Sequence, residues 1–171
     1  GFSFQPLVIK KTLKQEKEFR LDDFLVSRGG RVIKKGYGLT ECAAAATVSS
    51  DIINSIVSVG IPLPQITISA FDLDTGEEKS YGESGELCIT GPTVMKGYYN
   101  QPEETSLMLK KHEDGKIWLH SGDWGYVAKD GQVFVTDRIK DISPRSGYKV
   151  YPSVIENVVS QKPYIQNCAC V

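Results

Sequence analysis

The middle of the chain alternates apolar and polar residues with the two-residue period of a β-strand. Short runs of this kind recur, and glycine, aspartate or asparagine separates them. The predicted strands cover residues 66–70, 85–91, 116–120, 124–128 and 133–136. Short strands that follow one another with frequent turns predict a small distorted β-barrel.

Helical periodicity marks three shorter segments, so the mixture predicts the α+β fold class. The first helix is predicted near Leu21. In the second, Asn100 is a favourable N-cap residue, and Glu103 follows three positions later. In the third, Ser153 and Glu156 have the spacing of a capping box.

The composition narrows the choice of partners. The chain has 171 residues, of which 40% are hydrophobic and 24% charged, as in an ordinary globular protein. Because the net charge is only -1, electrostatics give no reason to expect nucleic acid or an anionic membrane as a partner. No apolar run is long enough for a membrane span. The four cysteines form no CxxC pair, so we expect reduced thiols in a cytoplasmic protein, and neither a zinc site nor a disulfide framework.

One predicted hairpin has charged residues at both of its ends. Asp130-Gly131 is typical of a primed two-residue turn, and Asp123 and Arg138 lie at the two open ends. Antiparallel pairing brings these ends together, and a carboxylate beside a guanidinium suits a polyhydroxyl ligand such as ribose. A salt bridge at the solvent edge is the alternative, and this stretch alone favours it.

A second candidate for ligand binding is Gly36-Tyr37-Gly38-Leu39-Thr40-Glu41. Two glycines allow the backbone to bend tightly around an aromatic ring. The ring of Tyr37 suits stacking on a base, the hydroxyl of Thr40 suits a phosphate, and the carboxylate of Glu41 suits Mg²⁺. A strand-to-loop turn with an exposed tyrosine is the alternative explanation.

The order of five motifs resembles the AMP-forming adenylate synthetases, the family that contains acyl-CoA synthetases, adenylation domains of peptide synthetases and luciferases. The resemblance runs from about Arg31 to the end of the chain. The motifs are GYGLTE at 36–41, GELCITGP at 85–92 with GYYNQPEET at 97–105, SGDWG at 121–125, DRIKD at 137–141 and GYKVYPSVIE at 147–156.

The resemblance implies a two-step reaction. A carboxylate attacks the α-phosphate of ATP to give an acyl-adenylate, and a thiol, usually that of coenzyme A, then displaces AMP. Tyr37 would stack on adenine, Thr40 would contact the α-phosphate and Glu41 would hold Mg²⁺, and Gly38 would be a further nucleotide-binding residue. Asp123 would accept hydrogen bonds from the ribose hydroxyls.

The remaining roles implied by the resemblance concern the ribose and a moving domain. Arg138 would reach the ribose from the other side. Lys140 would be the hinge about which a small domain rotates, and Gly147 would let the pantetheine arm of coenzyme A pass close to the backbone.

The resemblance also implies a division of the chain into three parts. Residues 1–62 would be the end of a large α/β subdomain, with 1–20 unplaced. Residues 63–138 would form the barrel subdomain, and 139–171 the hinge and the start of a small α+β C-terminal domain.

Within the family, Val150-Tyr151-Pro152-Ser153 favours the CoA-ligase branch. An adenylation domain that loads an amino or aryl acid onto a carrier protein is one alternative, and a non-catalytic β-rich module is another. The phosphate loop and the C-terminal lysine of the family have no match in this chain, whose apolar end suggests a longer parent protein. We therefore expect the isolated chain to be inactive in adenylation.

Other conspicuous side chains are expected to be structural. His112 and His120 are interpreted as polar surface residues, because neither has an obvious catalytic neighbourhood in the sequence. Tyr98-Tyr99 is interpreted as packing beneath the barrel, and Trp118 and Trp124 as core or rim residues.

Overall fold

The computed structural model describes residues 34–49, 57–145, 148–162, 165, 168 and 169. The predicted helix near Leu21 and the predicted role of Gly147 lie outside these residues. A small antiparallel sheet comes first, in the order β1-β2-β3. Its strands are β1 (Gly36–Tyr37), β2 (Thr47–Val48) and β3 (Ile61–Pro62).

The main sheet has five antiparallel strands, and the longest of them organises the rest. The strands are β4 (Thr67–Phe71), β5 (Gly85–Thr90), β6 (Leu109–Lys111), β7 (Ile117–Val127) and β8 (Val133–Arg138). One edge of β7 pairs with β5, whereas its other edge pairs first with β6 and then with β8. Because β7 serves two partners in succession along one edge, the sheet curls into a half-barrel, which confirms the predicted α+β class. The three predicted domain boundaries stay predictions.

The hairpin between β7 and β8 forms as predicted, but its turn differs. Of the Asp130-Gly131 pair only Gly131 has a positive φ, 82°. The N–H of Ala128 donates to the carbonyl of Gln132 at 2.8 Å, and that of Gly131 donates to the carbonyl of Ala128 at 2.9 Å. The connection is therefore a three-residue loop with a left-handed glycine, not a primed two-residue turn.

Two short helices and a second small sheet complete the described structure. Helix α1 spans Pro102–Met108, helix α2 spans Pro152–Ser160, and strands β9 (Ser143–Arg145) and β10 (Tyr148–Val150) pair between them. None of the helices in the described part of the chain is long and apolar enough to cross a membrane.

Both predicted helix caps were wrong in detail. Gln101, not Asn100, is the N-cap of α1, since Asn100 has a φ of 53°. No side chain caps α2 from the N-cap position. Instead, the carboxylate of Asp137 in β8 accepts hydrogen bonds from the N–H of Ser153 at 3.1 Å and from its hydroxyl at 2.7 Å. An acid from a strand therefore satisfies the start of this helix.

Candidate active site

A bulge in β7 places Asp123. One residue of β5, Leu87, lies opposite residues 121–123 of β7, because the pairing register shifts between Glu86 and Cys88. Gly122 in the bulge has a φ of 71°, a conformation that favours glycine. The carboxylate of Glu86 accepts its N–H at 3.1 Å. The bulge lets β7 continue as one strand while Asp123 is buried, at 3% exposure.

Asp123 and Arg138 are direct partners across β7 and β8. The Nε of Arg138 lies 3.5 Å from the Oδ1 of Asp123, so the predicted meeting of the two hairpin ends is confirmed. The side chain of Asp123 is 4% exposed and that of Arg138 is 29% exposed. A salt bridge at the solvent edge therefore does not describe the pair, because the guanidinium lies over a buried carboxylate.

Tyr37 is the third member of this group. Its hydroxyl donates to the Oδ2 of Asp123 at 2.8 Å, although the two residues are 86 positions apart. The ring of Tyr37 is only 5% exposed, so the alternative of an exposed tyrosine in a turn was wrong. Burial, followed by the charge of Asp123, raises the pKa of the Tyr37 hydroxyl well above its usual value, so it stays a donor.

Burial also sets the protonation behaviour of Asp123. Its pKa is raised from the ordinary value, because the loss of water outweighs the hydrogen bond from Tyr37 and the charge of Arg138. The carboxylate therefore carries its charge at a cost, and further donors would lower that cost. Ligand hydroxyl groups are donors of this kind.

Hydrogen bonds hold the tyrosine segment against the barrel. The N–H of Tyr37 donates to the Oγ1 of Thr47 at 3.0 Å, and that hydroxyl donates to the carbonyl of Val59 at 2.6 Å. The N–H of Val59 in turn donates to the carbonyl of Val133 at 2.9 Å. Because Val133 begins β8, this series joins Tyr37 to the hairpin that contains Asp123.

The residues after Tyr37 form a tight 3₁₀ turn, Thr40–Cys42. The N–H of Leu39 donates to the sulfur of Cys42 at 3.2 Å, and the thiol donates back to the carbonyl of Leu39 at 3.3 Å. A Cβ at Gly38 would collide with the backbone of Ala44, so glycine is required there by packing alone. The side chain of Thr40 is exposed.

Glu41 has a partner that the sequence did not reveal. The hydroxyl of Tyr98 donates to the Oε1 of Glu41 at 2.7 Å. This hydrogen bond, followed by burial, raises the pKa of Tyr98 to about 12. Tyr98 therefore does not merely pack beneath the barrel, and its neighbour Tyr99 is 90% exposed.

The second oxygen of Glu41 is the feature that fits a metal ion. Among the residues that the structure describes, the Oε2 of Glu41 is buried and has no hydrogen-bond partner. A buried carboxylate oxygen without a partner is costly, and a hard cation such as Mg²⁺ prefers oxygen ligands of this type. The donor expected for Mg²⁺ is thus present and unsatisfied.

The remaining predicted residues lie apart from these contacts. Lys140 is exposed in the 3₁₀ turn Ile139–Asp141, directly after β8. This position at a strand end is compatible with a hinge, and the role stays a prediction. Gly147 lies outside the described residues.

The two histidines are not independent surface residues. The Nε2 atoms of His112 and His120 lie 2.9 Å apart, and the Nδ1 of His120 lies 2.7 Å from the Oε2 of Glu86. Their interpretation as polar surface side chains was therefore wrong. The side chains of His120 and Glu86 are only 13% and 12% exposed.

Comparison with known proteins decides the family. The family model described as AMP-binding enzyme matches residues 20–99. A long-chain-fatty-acid–CoA ligase of Salmonella typhimurium is 42% identical over 143 residues, which is 83% of this chain and 24% of that protein. The chain belongs to the AMP-forming adenylate synthetases. As a member of this family it spans about a quarter of the length of the curated relatives it matches.

Other members of the family support the same assignment. Luciferin 4-monooxygenase of Photinus pyralis is 39% identical over 133 residues, which is 78% of this chain and 24% of that protein. The solved structure of ATP-bound MatB from Rhodopseudomonas palustris superposes with a TM-score of 0.67 at 30% identity. That superposition covers 84% of this chain and 28% of MatB. The adenylate-synthetase fold and the predicted family are thereby confirmed.

Proposed function

We propose that the full-length protein is an AMP-forming carboxylate–CoA ligase, and that this chain supplies its ribose-binding and metal-binding acids. In the first step, the carboxylate of the substrate attacks the α-phosphate of ATP and releases pyrophosphate. In the second, the thiol of coenzyme A attacks the acyl-adenylate, so that a thioester forms and AMP leaves. The substrate is a small-molecule carboxylic acid, and the enzyme acts in the cytoplasm, where its cysteines stay reduced.

One observation carries the proposal. The buried carboxylate of Asp123 is contacted by two residues from other strands. The hydroxyl of Tyr37 donates to one of its oxygens, and the guanidinium of Arg138 lies beside the other. Tyr37 occupies one oxygen of Asp123, and the loosely held Oδ1 is the acceptor proposed for the ribose hydroxyls. Arg138, which is more exposed, reaches the ribose from the solvent side, and the ring of Tyr37 lies beside the adenine.

Two further residues act on the phosphate groups. The hydroxyl of Thr40, an exposed residue, donates to the α-phosphate, and the Oε2 of Glu41 holds Mg²⁺. The exposure of Thr40 and the lack of a partner for this oxygen among the described residues support these two roles. When bound, the metal ion neutralises charge on the phosphate oxygens. Gly38 supports this turn by allowing its tight packing.

The second step rests on residues near the end of the chain. Lys140 follows β8 directly, so a backbone rotation there would move β9, β10 and α2 relative to the barrel. Gly147 gives the pantetheine arm of coenzyme A a path along the backbone. Similarity to CoA ligases supports coenzyme A as the thiol substrate.

The first test measures the chemistry of the full-length protein. We expect ATP, Mg²⁺ and a fatty or aryl acid to support exchange of pyrophosphate into ATP without coenzyme A. Addition of coenzyme A should then give a thioester and AMP. Formation of ADP and phosphate would contradict the first step, whereas exchange without any thioester would contradict only the second.

The second test concerns Asp123. We expect Asp123→Ala to weaken ATP binding about 100-fold, because two hydrogen bonds to a charged acceptor contribute about 1.5 kcal/mol each. Asp130→Ala is the matched control, since Asp130 lies in the exposed turn of the same hairpin. Isothermal titration calorimetry measures the affinity of each variant for ATP. Equal affinities in the two variants would rule out Asp123 as the ribose acceptor.

A further inference from the structure

The bulge that places Asp123 is held by side chains. Residues in a bulge lose partners in the sheet, so their buried N–H groups need other acceptors. The hydroxyl of Ser121 accepts the N–H of Asp123 at 3.1 Å. The carboxylate of Glu86 in β5 accepts the N–H of Gly122, also at 3.1 Å. Because Ser121 lies in the bulge itself, Glu86 is the acceptor that ties the bulge to the neighbouring strand.

Gly122 has little else to hold it in place. It has a φ of 71°, and a Cβ added to it would meet no atom within 4 Å in the described part of the chain. Packing therefore does not confine this residue, and its hydrogen bond to Glu86 is a main restraint. Since Gly122 directly precedes Asp123, a backbone change at Gly122 would alter the direction of the Asp123 carboxylate.

Glu86 is itself buried and oriented by a second contact. The residue is 9% exposed, and its Oε2 lies 2.7 Å from the Nδ1 of His120. An ionised carboxylate only accepts hydrogen bonds, so this nitrogen donates. Burial raises the pKa of Glu86, but the contacts with His120 and Gly122 outweigh it and hold the pKa below its usual value. The acceptor of the Gly122 N–H is therefore charged, which strengthens that hydrogen bond.

His120 is supported in turn by His112. Their Nε2 atoms lie 2.9 Å apart, so the two rings share one proton. The ring of His112 packs edge-on against the buried Phe71, with centroids 4.4 Å apart. The buried Nδ1 of His112 has no hydrogen-bond partner among the described residues, so this arrangement costs stability. A cost of this kind favours a role in function over one in folding alone.

We propose that Glu86 is a positioning residue for nucleotide binding, and that His120 orients it. Glu86 fixes the bulge at Gly122, so that Asp123 presents its Oδ1 to the ribose hydroxyls. Both residues act through Asp123, without contact with the nucleotide. This inference rests on the proposed function, in which Asp123 is the ribose acceptor.

The first measurement needs no nucleotide. Hydrogen–deuterium exchange followed by mass spectrometry of the full-length protein reports on a peptide that contains residues 119–125. Glu86→Ala should exchange faster there, because the N–H of Gly122 loses its acceptor. Glu113→Ala is the matched control, since Glu113 is exposed in the turn between β6 and β7, and it should exchange like the parent. Unchanged exchange in Glu86→Ala would overturn the inference, whatever reaction the protein catalyses.

The second measurement asks whether the bulge acts on the ribose. Isothermal titration calorimetry compares the affinities of the full-length protein for ATP and for 2′-deoxy-ATP. The parent should prefer ATP by about tenfold, the equivalent of one hydrogen bond to a charged acceptor. Glu86→Ala should lose most of this preference, whereas Glu113→Ala should keep it. A merely structural role would weaken both nucleotides by the same factor, and that result would overturn the inference.

Two variants of His120 test its role by rescue. The side-chain amide of His120→Asn can replace the Nδ1–H as donor to Glu86, whereas His120→Ala removes the donor. We expect His120→Asn to keep the preference for ATP and His120→Ala to reduce it. Equal behaviour of the two would overturn the role of His120. Thermal unfolding without nucleotide shows whether each variant folds, and this pair tests the inference if Glu86→Ala does not fold.

Asp123→Ala separates the two ways in which the inference can fail. If the parent shows no more preference for ATP than Asp123→Ala does, Asp123 is not the ribose acceptor, and the role of Glu86 fails with the proposed function. If Asp123→Ala loses the preference and Glu86→Ala keeps it, the proposed function stands and only the positioning role is overturned.

Discussion

Two acids of the candidate active site, Asp123 and Glu41, are each held by a tyrosine hydroxyl but differ at their second oxygen. Tyr37 donates to Asp123 at 2.8 Å, and Tyr98 donates to Glu41 at 2.7 Å. The other oxygen of Asp123 faces the guanidinium of Arg138 at 3.5 Å. The other oxygen of Glu41 is buried without a partner in the described part of the chain.

This difference separates two kinds of binding. Asp123 already has a cation from the protein, so a neutral donor such as a sugar hydroxyl complements it without adding charge. Glu41 has a neutral donor but no cation, so a metal ion complements it. A tyrosine in each pair fixes the carboxylate while leaving its charge available. The hydrogen-bond partners, more than the acids themselves, therefore indicate which ligand each one takes.

Glu41→Gln should have the largest effect of the variants that test this comparison. The amide keeps an acceptor for Tyr98 but removes the charge that is proposed to bind Mg²⁺. A loss of about 3 kcal/mol in transition-state stabilisation lowers the rate about 100-fold. The rate of pyrophosphate exchange by the full-length protein, measured at several Mg²⁺ concentrations, tests this loss. Glu104→Gln, at an exposed position of α1, is the control. Equal Mg²⁺ dependence in both variants would show that Glu41 does not bind the ion.

Tyr98→Phe should have a smaller effect, confined to the metal. The variant keeps the ring but removes the donor that orients Glu41, so the apparent affinity for Mg²⁺ should fall about tenfold. The rate at saturating Mg²⁺ should change much less, because the carboxylate itself is retained. Tyr99→Phe is a matched control, since its side chain is 90% exposed. An equal loss of rate at all Mg²⁺ concentrations would indicate a merely structural role for Tyr98.

The parts of this site that were predictable from sequence are those fixed by local pairing. Asp123 and Arg138 flank one hairpin, and strand periodicity with a glycine turn sufficed to bring them together, even though the turn type was wrong. The contact between His112 and His120 does not follow from local pairing. The register of β6 and β7 places His112 opposite Lys116, four positions from His120.

The partners of the two acids were not predictable in this way. Tyr37 and Asp123 are 86 positions apart, and Tyr98 and Glu41 are 57 apart. No periodicity or turn signal specifies contacts between segments so distant, because they depend on how separate sheets and loops pack. The family resemblance supplied expected roles for Tyr37 and Glu41, but neither tyrosine–carboxylate hydrogen bond.

Burial of Asp123 gives a prediction about stability. Its raised pKa means that the folded state binds a proton more tightly than the unfolded state does. As the pH rises from the ordinary pKa of aspartate, about 3.9, to the folded pKa, this group makes the protein progressively less stable. Above the folded pKa the cost is constant.

Asp123→Asn should therefore stabilise the full-length protein at neutral pH by about 1 kcal/mol while weakening ATP binding. The amide keeps an acceptor for Tyr37 and removes the buried charge, which is the source of the cost. Urea unfolding at several pH values between about 4 and 7 measures the free energy of unfolding of the variant and its parent. The difference in favour of the variant should grow with pH and level off above the folded pKa of Asp123. Asp130→Asn should show no such gain, because a hydrogen bond from Gln132 lowers the pKa of this exposed acid. An Asp123→Asn protein that is less stable than its parent at pH 7 would mean that Arg138 and Tyr37 more than offset the cost of burial. Asp123 would then belong to a structural ion pair with Arg138. The proposed contrast, in which Asp123 binds a neutral ligand and Glu41 binds a metal ion, would be contradicted.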